Sequence, residues 1–190
     1  MFTDFLAHFP TYNLVAQPTP ELLARYQGLV PTELLTIWTQ YGFGTFCEGY
    51  LKIVNPADYA DLLADTYQLT STPSSSPPLV LFATAMGDLL IWERGYIVLI
   101  DYRHGQTKVV GKYIELFFRN LIDSEYKADK LIYEPYLTAR ARLGEPAFEE
   151  CFGYVPLLAL GGPELESHLE KVKLREHLAL IGQVSGLLER

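Results

Sequence analysis

The spacing of the apolar residues changes between positions 79 and 110, and this change most restricts the folds open to the chain. Short apolar and β-branched runs alternate there with triplets of turn-forming residues. Runs of strand length with connections this short are typical of neighbouring antiparallel strands. The sequence therefore predicts an antiparallel β-meander made of four runs, at residues 79–84, 89–92, 96–102 and 106–110.

On both sides of this meander the apolar residues recur at helical spacing. Thr19 followed by Pro20 is typical of a helix N-cap and first helical position, and Gly42 and Gly144 are typical of helix ends. This order of elements predicts an α+β fold, with N-terminal helices, a central antiparallel β-meander and C-terminal helices. We predict the helices near residues 2–9, 20–28, 32–42, 55–67, 114–121, 135–144 and 163–181, with one further strand at 49–54.

The chain length of 190 residues fits one domain or two small ones. We expect two parts docked on each other. The first, 1–110, holds helices followed by the antiparallel sheet, and the second, 111–190, is mainly helical. Residues 70–78 consist of Thr, Ser and Pro and are either a linker or an internal loop.

Charge and cysteine content favour a cytoplasmic protein that binds another protein. The two cysteines are far apart in the sequence, which fits a reducing compartment, and the N-terminal residues lack the basic region of an export signal. No run approaches the roughly 18 apolar residues of a membrane-spanning helix, so we expect no membrane partner. The net charge of −8 repels nucleic-acid phosphates and favours a basic protein partner, although such a charge also serves solubility.

The sequence lacks the common motifs of catalysis and cofactor binding. It has no phosphate loop, dinucleotide-binding glycine turn, HExxH pair or nucleophile elbow. Catalysis by Cys151, His104 or Asp101 is an alternative, but a lone cysteine is more often a small buried apolar residue. His168 and His177 would share a metal ion only if the chain bent between them. We predict that the protein is not an enzyme and uses neither a cofactor nor a metal ion.

Two sets of short sequence blocks resemble known families. The first set resembles the GAD-like domain: Leu29-Val-Pro31, Leu34-Leu35, Trp38, Tyr41-Gly42, Gly49-Tyr-Leu51, Val54-Asn-Pro56 and Tyr59. The second set resembles the C-terminal domain of type VI secretion immunity proteins that neutralise DNase effectors: Tyr133-Glu-Pro135, Leu143-Gly144, Phe152-Gly-Tyr-Val-Pro156, Ala159-Leu-Gly-Gly162, Lys171-Val-Lys-Leu174 and His177-Leu178. The second resemblance is the more specific, because several blocks recur in one order.

The resemblance implies an immunity protein. Such a protein stays in the cytoplasm of the producing cell and binds the nuclease domain of a cognate toxin used against competing bacteria. The order of a helix, Tyr41-Gly42 and the Gly49-Tyr-Leu51 strand is also similar to the SUKH (Smi1/Knr4-like) superfamily. That similarity offers an alternative, a scaffold or regulatory module whose partner is not a toxin.

The resemblance supplies no toxin-binding residues, since these vary with the toxin, and we predict them from charge. A nuclease holds DNA in a basic cleft, which an acidic face can occupy or border. Asp58, Asp61 and Asp65 recur at i, i+3 and i+7 of a predicted helix, so they share one face. They are the first choice for toxin binding, and the acidic loop residues are the second: Glu145, Glu149 and Glu150.

Overall fold

An antiparallel sheet forms the centre of the computed structural model, which describes residues 2–68, 76–131 and 133–189. The strands in these residues are β1 (Asn13–Ala16), β2 (Phe43–Phe46), β3 (Leu51–Ile53), β4 (Tyr67–Gln68), β5 (Leu79–Thr84), β6 (Leu89–Glu93), β7 (Tyr96–Asp101), β8 (Gln106–Gly111), β9 (Glu150–Tyr154), β10 (Leu169–Lys173) and β11 (Leu188–Glu189). Seven of these described strands, β1–β3 and β5–β8, form the sheet in chain order, each antiparallel to its neighbours. Strands β9 and β10 form a separate antiparallel pair, and β4 and β11 a short parallel one.

Helices precede and follow the main part of this sheet, which confirms the α+β class. They are α1 (Phe2–His8), α2 (Pro20–Tyr26), α3 (Thr32–Tyr41), α4 (Ala60–Thr66), α5 (Ile114–Asn120), α6 (Ser124–Lys130), α7 (Glu134–Leu143) and α8 (Leu174–Ser185). The predicted cap of α2 is present, because the Thr19 hydroxyl accepts a hydrogen bond from the backbone N–H of Leu22 at 3.3 Å. Helix α6 was not predicted, and Asp123 caps it by accepting from the backbone N–H groups of Glu125 and Tyr126.

Both faces of the inner strands of the sheet are buried, and each face belongs to a different apolar core. Successive side chains of a strand point to opposite faces. In β7, Ile97 and Leu99 therefore join the core that contains Trp38, whereas Val98 and Ile100 join the core that contains Leu178. This double burial explains why the predicted meander reads as nearly continuous apolar runs and not as a strict alternation with polar residues.

One of the predicted elements needs correction. The closing helical region at 163–181 is wrong in its first part, since residues 169–173 form β10 and the helix begins at Leu174. Leu169 and Val172 have helical spacing, but they pair with Tyr154 and Cys151 of β9, and this long-range pairing overrides the local pattern.

Strands β1 and β2 were not predicted, although they extend the sheet by two positions. Gly44 in β2 has the character of a strand breaker in the sequence. In the structure a Cβ atom at Gly44 would lie 2.2 Å from the backbone oxygen of Asn13, so only glycine allows β1 to pair there. Every residue of β1 is exposed, so the strand carries no burial pattern.

The Ser/Pro-rich stretch at 70–78 lies mostly outside the described residues, which resume at residue 76. It lies between β4 and β5 in the chain. Together with α4 and β4 it belongs to the connection between β3 and β5, which are hydrogen-bonded neighbours in the main sheet.

A buried ammonium group ties β3 to the segment that leads into β9. Lys52 is completely buried, and its Nζ donates to the backbone oxygens of Ala147 at 2.7 Å, Phe148 at 3.0 Å and Glu150. Burial lowers the pKa of Lys52 to about 8, so the side chain is still mostly charged at neutral pH. Three carbonyl acceptors are suited to compensate the loss of water around such a charge.

We expect Lys52→Met to destabilise the fold, because it leaves three partly buried carbonyl oxygens without their donor. The expected loss in the free energy of unfolding is about 2–4 kcal/mol. Urea unfolding followed by circular dichroism measures it. Lys108→Met is the matched control, since Lys108 is exposed, and it should cost roughly 0.5 kcal/mol or less. Equal losses in the two variants would contradict the structural role of Lys52.

Candidate functional site

The first set of predicted binding acids lies on one exposed surface. Asp58 belongs to a 3-10 turn that precedes α4, Asp61 and Asp65 belong to α4 itself, and all three side chains are exposed. Asn55 begins this turn and donates from its side-chain amide to Asp58 at 3.0 Å. The opposite face is buried as its spacing predicts, through Tyr59, Leu62, Leu63 and Thr66.

Helix α8 packs along α4, and one glycine determines how closely the two helices approach. A Cβ atom at Gly182 would lie 2.5 Å from the side chain of Thr66. In the first turn of α8, Arg175 donates two hydrogen bonds to the carboxylate of Asp61, at 2.9 and 2.8 Å. The backbone N–H of Leu62 and then Arg175 lower the pKa of Asp61, so this carboxylate stays ionised at neutral pH.

An open groove of about 510 Å³ runs between α4 and α8. Three acids, Asp61, Asp65 and Glu176, line it together with one base, Arg175, so its formal charge is −3 + 1 = −2. Within the described parts of the chain, Asp58 and Asp65 form no ion pair. The negative charge of this surface is therefore only partly compensated from within the protein.

The second set of predicted acids is compensated much more fully. Glu145 lies 2.7 Å from the guanidinium of Arg140. Glu149 and Glu150 lie 3.2 and 3.7 Å from the ammonium of Lys173. Both glutamates also lie near the charge of buried Lys52. This loop consequently presents less net negative charge than its sequence suggests.

The structure brings one acid of each set to the same junction. Asp61 contacts Arg175, and Glu149 contacts Lys173, two residues earlier in the chain. Lys173 ends β10 and Leu174 begins α8, and the backbone N–H of Leu174 donates to the oxygen of Glu149 at 2.9 Å. Asp61 of α4 and Glu149 of the loop thus lie on either side of the point where β10 passes into α8.

Comparison with protein families accounts for most of the chain. Residues 1–103, more than half of the chain, match the model of the GAD-like domain. The chain belongs to the GAD-like domain family. Residues 112–185 match a second model, described as T6SS immunity protein Tdi1, C-terminal. These two matches confirm the resemblance that the sequence blocks indicated, and the second supports a place among type VI secretion immunity proteins.

A solved structure shares the fold of this GAD-like protein. The crystal structure of Atu4351 from Agrobacterium tumefaciens superposes with a TM-score of 0.77 at 20% sequence identity. The similarity covers 96% of this chain and 89% of the other. No curated protein matches the sequence. At this identity the likeness establishes the fold alone.

The acidic groove combines residues of both family matches. Helix α4 lies within the GAD-like part, and α8 lies within the part that matches the Tdi1 C-terminal model. Sequence reasoning did not identify Glu176 as a residue of this groove. The alternation of Arg175 and Glu176 carries no signal for a groove, because the facing acids of α4 are distant in sequence.

The residues proposed for catalysis do not converge in this GAD-like protein. His104 and Asp101 are neighbours, with His104 Nδ1 2.6 Å from the Asp101 carboxylate. Cys151 is completely buried in the core that contains Leu178, and burial raises the pKa of its thiol to about 12. A neutral buried thiol has the properties of a core residue and not those of a thiolate nucleophile.

Among the residues that the structure describes, no three His, Cys, Asp or Glu side chains are placed to hold a metal ion. His168 precedes β10 and His177 lies on α8, where burial lowers its pKa.

No helix in the described part is long and apolar enough to cross a membrane.

A chain of charged groups runs from the interior of the sheet to His104 at the surface. Buried Asp88 accepts hydrogen bonds from Thr84 at 2.8 Å and from Arg103 at 2.5 Å. Burial raises the pKa of Asp88, and the adjacent Arg103 opposes that shift. The guanidinium of Arg103 also lies 3.4 Å from Asp101, which holds His104.

At the surface end of this network, His104 joins the β7–β8 turn to the segment before β10. Its Nε2 lies 2.9 Å from the carboxylate of Glu164, opposite the contact to Asp101. Burial alone would lower the pKa of His104, but the two carboxylates outweigh burial and raise it. Because the folded-state pKa is raised, the stabilisation is complete below the ordinary histidine value of 6.5 and disappears as the pH rises through the folded-state pKa.

We therefore expect His104→Gln to destabilise the protein at pH 5.5 by about 0.5–1 kcal/mol and by less at pH 8.5. Urea unfolding of both proteins at the two pH values measures the difference. The same substitution in a Glu164→Gln background should show a smaller pH dependence, since one of the two carboxylate partners is neutral there. A loss that is the same at both pH values would show that His104 acts through packing and not through its charge.

Proposed function

We propose that this protein is a type VI secretion immunity protein, which binds its cognate toxin in the cytoplasm of the producing cell and neutralises it. We further propose that the toxin is a DNase. The match of residues 112–185 to the Tdi1 C-terminal model is the observation that carries the proposal. The acidic groove supports it, since α8 of that matched part supplies one wall.

The charge of the groove suits a nuclease as the partner. A DNase presents a basic cleft to the phosphate backbone, and an acidic surface that docks there or beside it excludes DNA. Asp58, Asp61 and Asp65 remain the first choice for the toxin-binding acids. Asp58 and Asp65 are exposed and form no ion pair with the described remainder of the chain, so they can pair with an incoming base without breaking an internal ion pair.

The loop acids are a weaker choice for the same role. Glu145, Glu149 and Glu150 already contact Arg140 or Lys173, and a toxin would have to compete with these pairs. They flank the same strand-to-helix junction and can contribute at the border of the interface. Inhibition by this route is stoichiometric binding, and it requires neither catalysis nor a cofactor.

The first test is co-expression with the product of the neighbouring gene, followed by affinity purification of this chain. We expect a stable complex of fixed stoichiometry in which the nuclease activity of that product is suppressed. If no complex forms and the cells are not rescued from that product, the neighbour is not the cognate toxin. The alternative of a scaffold with a partner other than a toxin would then take precedence.

Reversal of the unpaired acids tests which surface meets the toxin. We expect Asp58→Lys combined with Asp65→Lys to slow association with the toxin by roughly tenfold or more at low salt, because long-range attraction accelerates encounter. Dissociation should change little, and the difference in association should shrink as salt screens the charges. Kinetics on immobilised toxin measure both rates.

The matched control reverses two loop acids, Glu145→Lys with Glu149→Lys, which adds the same charge to the chain. We expect a smaller effect on association, since these acids are compensated internally. Equal slowing in both double variants would mean that net charge and not the α4 surface governs capture. No slowing in either would exclude the α4 acids from the interface.

A further inference from the structure

The side of α8 that faces away from α4 exposes apolar side chains. A second groove, of about 410 Å³, lies there between α8 and the segment that follows β9. Val155, Pro156, Leu160 and Leu180 are among the residues that line it. Leu160 is 65% exposed and Leu180 is 48% exposed, values unusual for leucines that share one surface.

This apolar surface continues along the helix. Val184 lies one turn after Leu180 on the same side of α8 and is also exposed. Singly exposed apolar residues are normal, but a contiguous group with a polar border marks an interaction surface. We call this group the α8 apolar surface: Val155, Leu160, Leu180 and Val184.

Exposed aromatic residues elsewhere are partly covered from within the chain. Tyr96 and Tyr113 lie near the edge of the sheet, and the ammonium of Lys112 lies 5.7 Å from the centroid of each ring. A cation over an aromatic ring is attracted to the ring face and covers part of it. The α8 apolar surface has no cation–π contact of this kind, because its members are aliphatic.

The acidic groove and the α8 apolar surface are two sides of one exposed ridge. Glu176 lines both grooves, Asp65 lies on the α4 side, and Leu180 lies on the other. Protein interfaces commonly have an apolar centre bordered by polar and charged residues. The ridge of α8 offers that arrangement, with aliphatic side chains in the centre and carboxylates along one border.

We propose that the α8 apolar surface is the centre of the docking site for the toxin, and that the acidic groove is its border. The occupant is a basic protein surface that presents apolar side chains between its cationic ones. The proposal rests on the proposed function, since it names the surface that an immunity role would use. It adds that affinity depends on the aliphatic residues of α8 and of the segment after β9, whereas the acids of α4 mainly accelerate encounter.

Charge argues against a second copy of this chain as the occupant. Each copy has a net charge of −8, and the groove beside the apolar surface has a formal charge of −2. Pairing two copies across this ridge would bring carboxylates towards carboxylates. A basic partner removes that repulsion and gains ion pairs with Asp65 and Glu176.

The test compares the full chain with Leu160→Glu and Leu180→Glu for binding to a nuclease-inactive form of the toxin encoded beside it. We expect each variant to weaken binding by roughly 30-fold or more, mainly through faster dissociation, as for residues at the centre of an interface. Leu137→Glu is the matched control, since Leu137 is an exposed leucine on α7. It should change the affinity by less than about threefold, and thermal unfolding should show that all three variants are folded.

The possible outcomes separate this proposal from the proposed function. If the unmodified chain binds the toxin and both α8-side variants bind like the control, the docking site is elsewhere and the immunity role stands. If the unmodified chain neither binds the toxin nor suppresses its activity, the proposed function fails and this inference fails with it. Light scattering that shows a dimer of the chain, lost in Leu180→Glu, would identify the surface as a self-association site and overturn the choice of partner.

Discussion

The ammonium group of Lys52 is the interaction on which the arrangement of the two family parts most depends. It lies inside the protein and is held by backbone oxygens that occur 95 to 98 residues later in the chain. A buried charge is tolerated only where acceptors surround it, so the segment before β9 is held against β3 of the central sheet. The position of β9, and through it that of β10 and α8, follows from this contact.

A second polar network lies at the turns before β6 and after β7. Asp88 and Arg103 lie in the turns that flank β6 and β7, and their side chains pair in the interior. The network continues through Asp101 and His104 to Glu164, in the segment that leads to β10. The GAD-like part and the C-terminal part are therefore joined by buried charges as well as by apolar packing. The groove between α4 and α8 has one wall from each part because of these contacts.

The sequence predicted the elements whose signals are local. The meander of β5–β8 and the cap at Thr19 follow from residue spacing and from the chemistry of side chains within a few positions. The acids of α4 were placed on one face for the same reason. Elements that depend on distant partners were missed. Strand β2 contains Gly44, which resembles a strand breaker in the sequence but is needed for the close approach of β1. Strand β10 has helical spacing, which its pairing with β9 overrides. The internal compensation of the loop acids and the role of Glu176 in the groove also depend on long-range contacts, which no single stretch of sequence reveals.

The close approach of α4 and α8 depends on the missing side chain at Gly182, which faces Thr66. The width of the acidic groove is thus controlled at one position of α8 that contributes little to either apolar core. Substitution by alanine or serine would move one wall outward and would leave the core that contains Trp38, on the other face of the sheet, untouched. Related chains can in this way acquire different partner preferences through a small change in helix separation, without a new fold and without new charged residues.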